Sequence, residues 1–169
     1  MRSGGAGAAD ELVGRAAEAL RRARHVCVLT GAGISAESGI PTFRDALTGL
    51  WAKFSPEELA TPEAFERDPD TVWSWYEWRR ELIRQAQPNA GHLALAELAR
   101  RVPEFTLVTQ NVDGLHQRAG SPGVLEYHGN ILRDRCTVEQ IVAERSEDSR
   151  RTGLPRCAAC GGLLRPDVV

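Results

Sequence analysis

The stretch His25-Val-Cys-Val-Leu-Thr-Gly-Ala-Gly33 decides how the chain is read. Residues 25–29 are a short apolar run of strand length, ended by the turn-forming Thr30-Gly-Ala-Gly33. An apolar run with no polar alternation predicts a parallel strand covered on both faces, which would make Cys27 a buried core thiol. Glycines directly after a strand let backbone N–H groups approach a phosphate, and the N-terminus of the next helix adds a favourable dipole. The turn is not the G-x-G-x-x-G fingerprint, because Ala36 stands at the third glycine position. A tight strand-to-helix turn explains two glycines equally well.

Working outward, residues 11–24 place Leu12, Val13, Ala16, Ala17 and Leu20 at helical spacing. Residues 1–10, rich in Gly and Ala, predict a flexible lead-in. Residues 61–90 are helical in pattern and tryptophan-rich, with Pro62 near the start and Pro88 near the end. Residues 91–100 form a second amphipathic helix, with Asn89 placed to cap it. Residues 105–109 and 123–127 read as further strands. Alternating strands and helices indicate an α/β fold with a parallel sheet, whose ligands bind at the carboxyl ends of the strands. Those ends carry Gly31 and Gly33, then Gln110, Asn111 and Asp113, then His128.

The chain has 169 residues, 42% hydrophobic and 26% charged, within the range of an ordinary globular protein. A net charge of -2, with arginines scattered among acids, predicts no direct nucleic-acid partner. No apolar run approaches the ~20 residues needed to span a bilayer, and residues 1–10 lack the apolar core of a secretory signal. The expected location is cytoplasmic, without membrane attachment.

Gly31-Ala-Gly-Ile-Ser-Ala-Glu-Ser-Gly-Ile-Pro-Thr-Phe-Arg44 closely resembles the NAD-binding loop of the sirtuins. Thr109-Gln-Asn-Val-Asp-Gly-Leu-His116 resembles that family's second motif and Glu126-Tyr-His-Gly129 its third, in the family's order and spacing. The resemblance runs from about residue 11 to residue 169. It implies an NAD-dependent protein-lysine deacylase acting on acylated-lysine proteins or peptides. In this chemistry the acyl oxygen displaces nicotinamide from NAD, and the products are nicotinamide and O-acyl-ADP-ribose. By the same resemblance His128 is the general base, and histidine titrates in the right range for that task. The NAD contacts carried over are Gly31, Ala32, Gly33, Ile34, Thr42, Phe43, Arg44, Gln110, Asn111, Val112 and Asp113. Turn capping is the bland alternative for Asn111 and Asp113, and His92 is read as structural support.

Tyr76 and Arg79 lie three residues apart and share a helical face. A guanidinium beside a phenol can hold a carboxylate. The Tyr-x-x-Arg pair resembles the subgroup that removes succinyl, malonyl or glutaryl groups. A packed tyrosine and a surface arginine are the alternative.

Cys157-Ala-Ala-Cys160, followed by Gly161-Gly162, has the spacing of a zinc knuckle. The family's module pairs two such cysteines with two more. Here Cys136 begins the other pair, but Glu139 stands where its second cysteine is expected. Cys136, Cys157 and Cys160, with Glu139 or a water, are the expected ligands of a structural zinc. A module held by packing alone is the alternative. Residues 139–152 are polar and read as an exposed helix or loop.

The expected architecture is thus a Rossmann-like parallel sheet, partial because the family's C-terminal strands are missing, with a helical insertion and a small zinc-binding module. A flexible stretch (1–10) precedes the N-terminal part of an NAD-binding domain (11–130), with the insertion at about 45–90. The metal module and a return strand follow (131–169). A sheet of three strands exposes an edge through which the chain could self-associate. The alternative to a working deacylase is a form that at most binds NAD or ADP-ribose, and a third reading is a zinc-binding interaction module.

Overall fold

The computed structural model describes residues 4–41, 54, 56–144 and 153–169. Helix α1 (Gly4–Arg22) leads into strand β1 (His25–Thr30) and the single turn α2 (Gly33–Ala36). The insertion holds α3 (Pro56–Leu59), α4 (Pro62–Arg67) and α5 (Pro69–Gln85), and α6 (Ala90–Arg101) returns the chain to the sheet. There follow β2 (Glu104–Thr109), α7 (Leu115–Arg118), β3 (Leu125–Glu126), β4 (Gly129–Cys136) and β5 (Leu164–Val168).

Strands β1, β2 and β3 form a parallel sheet in that order. The register sets Thr30 opposite Thr109 and Thr109 opposite Glu126, so the polar strand ends lie side by side. The parallel α/β sheet expected from the sequence is therefore present. The third strand is shorter than expected, two residues rather than the run 123–127. Strands β4 and β5 form a separate antiparallel pair.

Three expectations need correction. α1 begins at Gly4, so the described part of the lead-in expected to be flexible is helical; alanine, frequent there, is the best helix former. The single helix expected over 61–90 is two, because Asp68 ends α4 and caps α5 by accepting the Thr71 N–H at 3.1 Å, with Pro69 in the first turn. Cys27 is exposed rather than buried. β1 buries Val26 and Thr30, and its other face, with Cys27 and Leu29, is left uncovered by the described residues.

The main core lies in the insertion, not under the sheet. Leu59, Phe65, Val72, Trp75 and Ile83 pack with Ile131 of β4 and Val168 of β5. Each such side chain contributes roughly 1.5–3 kcal/mol on burial. A buried cation fixes α5 against β4. Arg80 is 1% exposed and donates to the Ile131 and Arg133 carbonyls, to Asp134 Oδ1 at 2.6 Å and to Glu77 at 2.7 Å. Its guanidinium also lies 5.0 Å from the Trp73 ring centre. Asn89 caps α6 as expected, accepting from the Gly91 and His92 N–H groups. No helix among the described residues is long and apolar enough to cross a membrane.

Candidate active site

The last residues of β1 and β2 are tied by their side chains. Thr30 Oγ1 and Thr109 Oγ1 share a hydrogen bond at 2.9 Å. His116 Nε2 lies 2.9 Å from the same Thr30 Oγ1 and is hydrogen-bonded to it. The buried Nδ1 of His116 has no hydrogen-bond partner. His116 and His92 are both buried, with ring centres 4.8 Å apart. Burial pushes the pKa of each below the usual histidine value, and in His116 the neighbouring His92 adds to the effect.

A second layer joins the turn after β1 to the turn after β2. Ser35 Oγ donates to Asp113 Oδ2 at 2.7 Å and accepts from Asn111 Nδ2 at 3.0 Å. Asn111 Nδ2 also reaches the Gly31 carbonyl at 3.1 Å, and Asp113 Oδ1 accepts the Leu115 N–H at 2.9 Å. Asn89, besides capping α6, donates to the Ile34 carbonyl at 2.6 Å. The positions of Asn111 and Asp113 are thus over-determined, as preorganisation of a polar site requires.

His128 sits between β3 and β4. Its Nδ1 lies 3.1 Å from the Gln110 carbonyl oxygen, which can only accept. The proton is therefore on Nδ1, and in the neutral ring Nε2 carries the free lone pair. The chain after His128 turns through Gly129 at φ +81°, where a Cβ would collide with the Asp167 carbonyl of β5. Only glycine permits that approach, and the His128 carbonyl accepts the Val169 N–H at 3.1 Å. The His-Gly pair is set by strand pairing as much as by chemistry.

A cavity of about 540 Å³ gathers Ala32, Ser35, Arg79, Gln110, Asn111, Val112, Asp113 and His128, with Ile40, Ile83 and Val168 among its apolar walls. Of the residues predicted from sequence, Gly31 lies next to this wall on the turn that leads into α2, and Gly33 and Ile34 open α2 itself. Gly31 and Gly33 have no atom within 4 Å of where a Cβ would stand and do not adopt a left-handed backbone. Neither packing nor conformation demands glycine there, and the space left beside them suits a close-lying ligand such as NAD. α2 is only one turn long, so the dipole expected from it is slight. Thr42, Phe43 and Arg44 lie outside the described residues. Ser35, His116 and Thr30 were not singled out from the sequence; the first two stand inside the quoted motifs, but only the fold brings them together.

Arg79 lines the cavity, whereas Tyr76 lies behind it, in the core of the insertion. The Tyr76 hydroxyl is buried and has no hydrogen-bond partner, and burial raises its pKa. Arg79 stacks over Trp75 with its guanidinium carbon 4.9 Å from the ring centre. Burial lowers its pKa.

Away from the cavity, the sulfurs of Cys136, Cys157 and Cys160 all lie within 4.8 Å of one another, with Cys136 and Cys160 3.4 Å apart. Tetrahedral zinc with Zn–S bonds of about 2.3 Å holds its sulfurs ~3.8 Å apart, so the cluster fits a structural zinc. The Glu139 N–H beside Cys136 holds that thiol below its usual pKa. The Glu139 side chain is exposed and its carboxylate is not part of the cluster.

Known proteins resemble this chain in sequence and in fold. Residues 31–169 match the family model described as the Sir2 family. An NAD-dependent protein deacylase of Aquifex aeolicus is 59% identical over 149 residues, covering 86% of this chain and 60% of that protein. The crystal structure of a Sir2 homologue–NAD complex superposes with a TM-score of 0.82 at 48% identity, over 92% of this chain and 60% of the other. A Sir2–p53 peptide–NAD+ structure gives a TM-score of 0.75 at 32% identity, covering 92% and 62%. The chain spans about 60% of the length of these relatives. The family match over residues 31–169 and the close likeness in sequence and fold lead to one conclusion: the chain belongs to the Sir2 family.

Proposed function

We propose that the cavity is the nicotinamide–ribose half of an NAD-dependent protein-lysine deacylase site, with His128 as its general base. The observation that carries this is the His128–Gln110 hydrogen bond, which puts the proton on Nδ1 and leaves Nε2 as the basic atom. A base must reach the proton it removes, and His128 borders the same cavity as Asn111 and Asp113. NAD, when bound, supplies an activated ribose carbon that accepts the acyl oxygen. Gly31 and Gly33 leave room beside it, Gln110, Asn111 and Asp113 offer polar groups to the ribose and carboxamide, and Nε2 of His128 takes a ribose hydroxyl proton. The apolar walls, Ile40, Ile83 and Val168, limit water at the reacting centre.

The same reading extends to acyl preference. A half-buried guanidinium at Arg79 on the cavity wall favours an acyl chain ending in a carboxylate, such as succinyl or malonyl, over acetyl. Tyr76, buried behind the cavity, would offer its unpartnered hydroxyl to such a carboxylate only by turning toward it. A cytoplasmic setting belongs to this reading too, as does self-association through an exposed sheet edge, which the place of β1 at the end of the strand order supports among the described residues.

The experiment is NAD-dependent release of succinyl and of acetyl from one lysine peptide by the purified chain and its Arg79→Met variant. The proposal expects succinyl to be preferred, and Arg79→Met to raise KM for the succinyl peptide alone. NAD binding without any turnover would reduce the chain to a binding form. Equal loss on both peptides would make Arg79 a support of the fold.

A further inference from the structure

The two turns that carry the cysteines are backbone copies of each other. In one, the Gln140 N–H donates to the Cys136 carbonyl at 3.0 Å and the Cys136 N–H to the Ile141 carbonyl at 2.9 Å. In the other, the Gly161 N–H donates to the Cys157 carbonyl at 2.9 Å and the Cys157 N–H to the Gly162 carbonyl at 2.8 Å. Both turns close through a left-handed residue, Gln140 at φ +56° and Gly161 at φ +73°. The correspondence pairs Cys136 with Cys157 and Glu139 with Cys160. Three vertices of a four-vertex site therefore carry sulfur, and the fourth position of the pattern is a glutamate whose carboxylate stands outside the sulfur cluster.

No other thiolate or imidazole of the chain can fill that vertex. Cys27 and His25 lie on β1, His92 on α6, His116 on α7, and His128 at the cavity. Gln140 keeps a backbone conformation that disfavours any side chain, so the turn holds the shape of a two-sulfur ligand turn while presenting only the Cys136 sulfur. The vertex faces solvent: Cys160 and Glu139 are exposed, and Val138 between the turns is 65% exposed.

We propose that Cys136, Cys157 and Cys160 bind a divalent metal ion whose fourth position, beside Glu139, is held only by an oxygen donor and is open to an exogenous thiolate. This rests on the reading of the three cysteines as a metal site. Zinc is four-coordinate in closed structural sites, and soft thiolate competes well with carboxylate or water for a thiolate-rich ion. A small thiol would enter as thiolate, releasing its proton to solvent and displacing the oxygen donor, with no change of oxidation state.

Cobalt(II) loaded into the zinc-free chain makes the site visible. The expected spectrum shows thiolate-to-cobalt charge transfer from three sulfurs, rising by about a third when 2-mercaptoethanol is titrated in, one thiolate added to three. Glu139→Cys should show the stronger band at once, ignore added thiol, and lose zinc to a chelator roughly tenfold more slowly or better. Glu139→Ala should respond to thiol as the unaltered chain does. A three-sulfur spectrum indifferent to thiol would overturn the open position, and a response gained only in Glu139→Ala would make Glu139 a firm ligand instead. Failure to take up cobalt would sink the metal reading itself, and this proposal with it.

Discussion

Ser35 and Asp113, 78 residues apart in the chain, share a 2.7 Å hydrogen bond that joins the turn after β1 to the turn after β2. The same hydroxyl accepts from Asn111, so one small side chain sets two polar groups of the cavity. Ser35→Ala should cost about 1–3 kcal/mol, because Asp113 loses a donor while still buried. Urea denaturation measures it. A change within about 0.5 kcal/mol, the scale of a neutral surface substitution, would contradict the assignment.

Arg80 and Asp134 form an ion pair in which both side chains are buried. Arg80→Met should destabilise by about 3–5 kcal/mol, since it takes the paired cation away from a buried carboxylate. Adding Asp134→Leu should recover much of that loss. If the double variant is no more stable than the single one, the damage lies in the carbonyls of Ile131 and Arg133, which also lose their donor.

Stability should fall as the medium is acidified below about pH 6.5, the unfolded histidine value. His92 and His116 have folded pKa values depressed by burial, so in that range the unfolded chain binds more protons than the folded one. Both are neutral in either state above this window, which adds no pH dependence there. Asp113, which faces both rings, opposes the shift without reversing it. The slope of denaturation midpoints between about pH 5 and 7 should flatten in a His92→Gln/His116→Gln variant; an unchanged slope would locate the sensitivity elsewhere.

His128→Ala should lower turnover by roughly 10²–10⁴-fold, the usual contribution of general-base catalysis. NAD affinity, measured by calorimetry, should change little, because the groups assigned to NAD are held by Ser35, Thr109 and Gly31. Affinity lost together with turnover would mean that His128 positions the Gln110 segment.

The sheet was legible because its strands announce themselves: apolar runs at 25–29 and 105–109 end in glycine or polar amides. The cavity followed, since parallel strands in register bring those ends together. Burial was less legible. Cys27 sits in an apolar run, yet which face of β1 is covered depends on elements far away in the chain. The break at Asp68 was readable in principle, as an N-cap followed by proline, but helical periodicity on both sides masked it. The Thr30–His116 contact had no local signal, because 86 residues separate its partners. The equivalence of Glu139 and Cys160 was visible only as a spacing, and needed the backbone of both turns to become a statement about geometry.

The pairing of β1 with β2 also governs when the site can exist. Thr30 meets Thr109 across 79 residues, and His128 is oriented by a segment that follows β2. Closing so long a loop precedes every contact that holds the polar groups. A chain still emerging from the ribosome, with β1 and the insertion already made, therefore has no cavity to offer. Competence to bind arrives in one step, when the second strand docks.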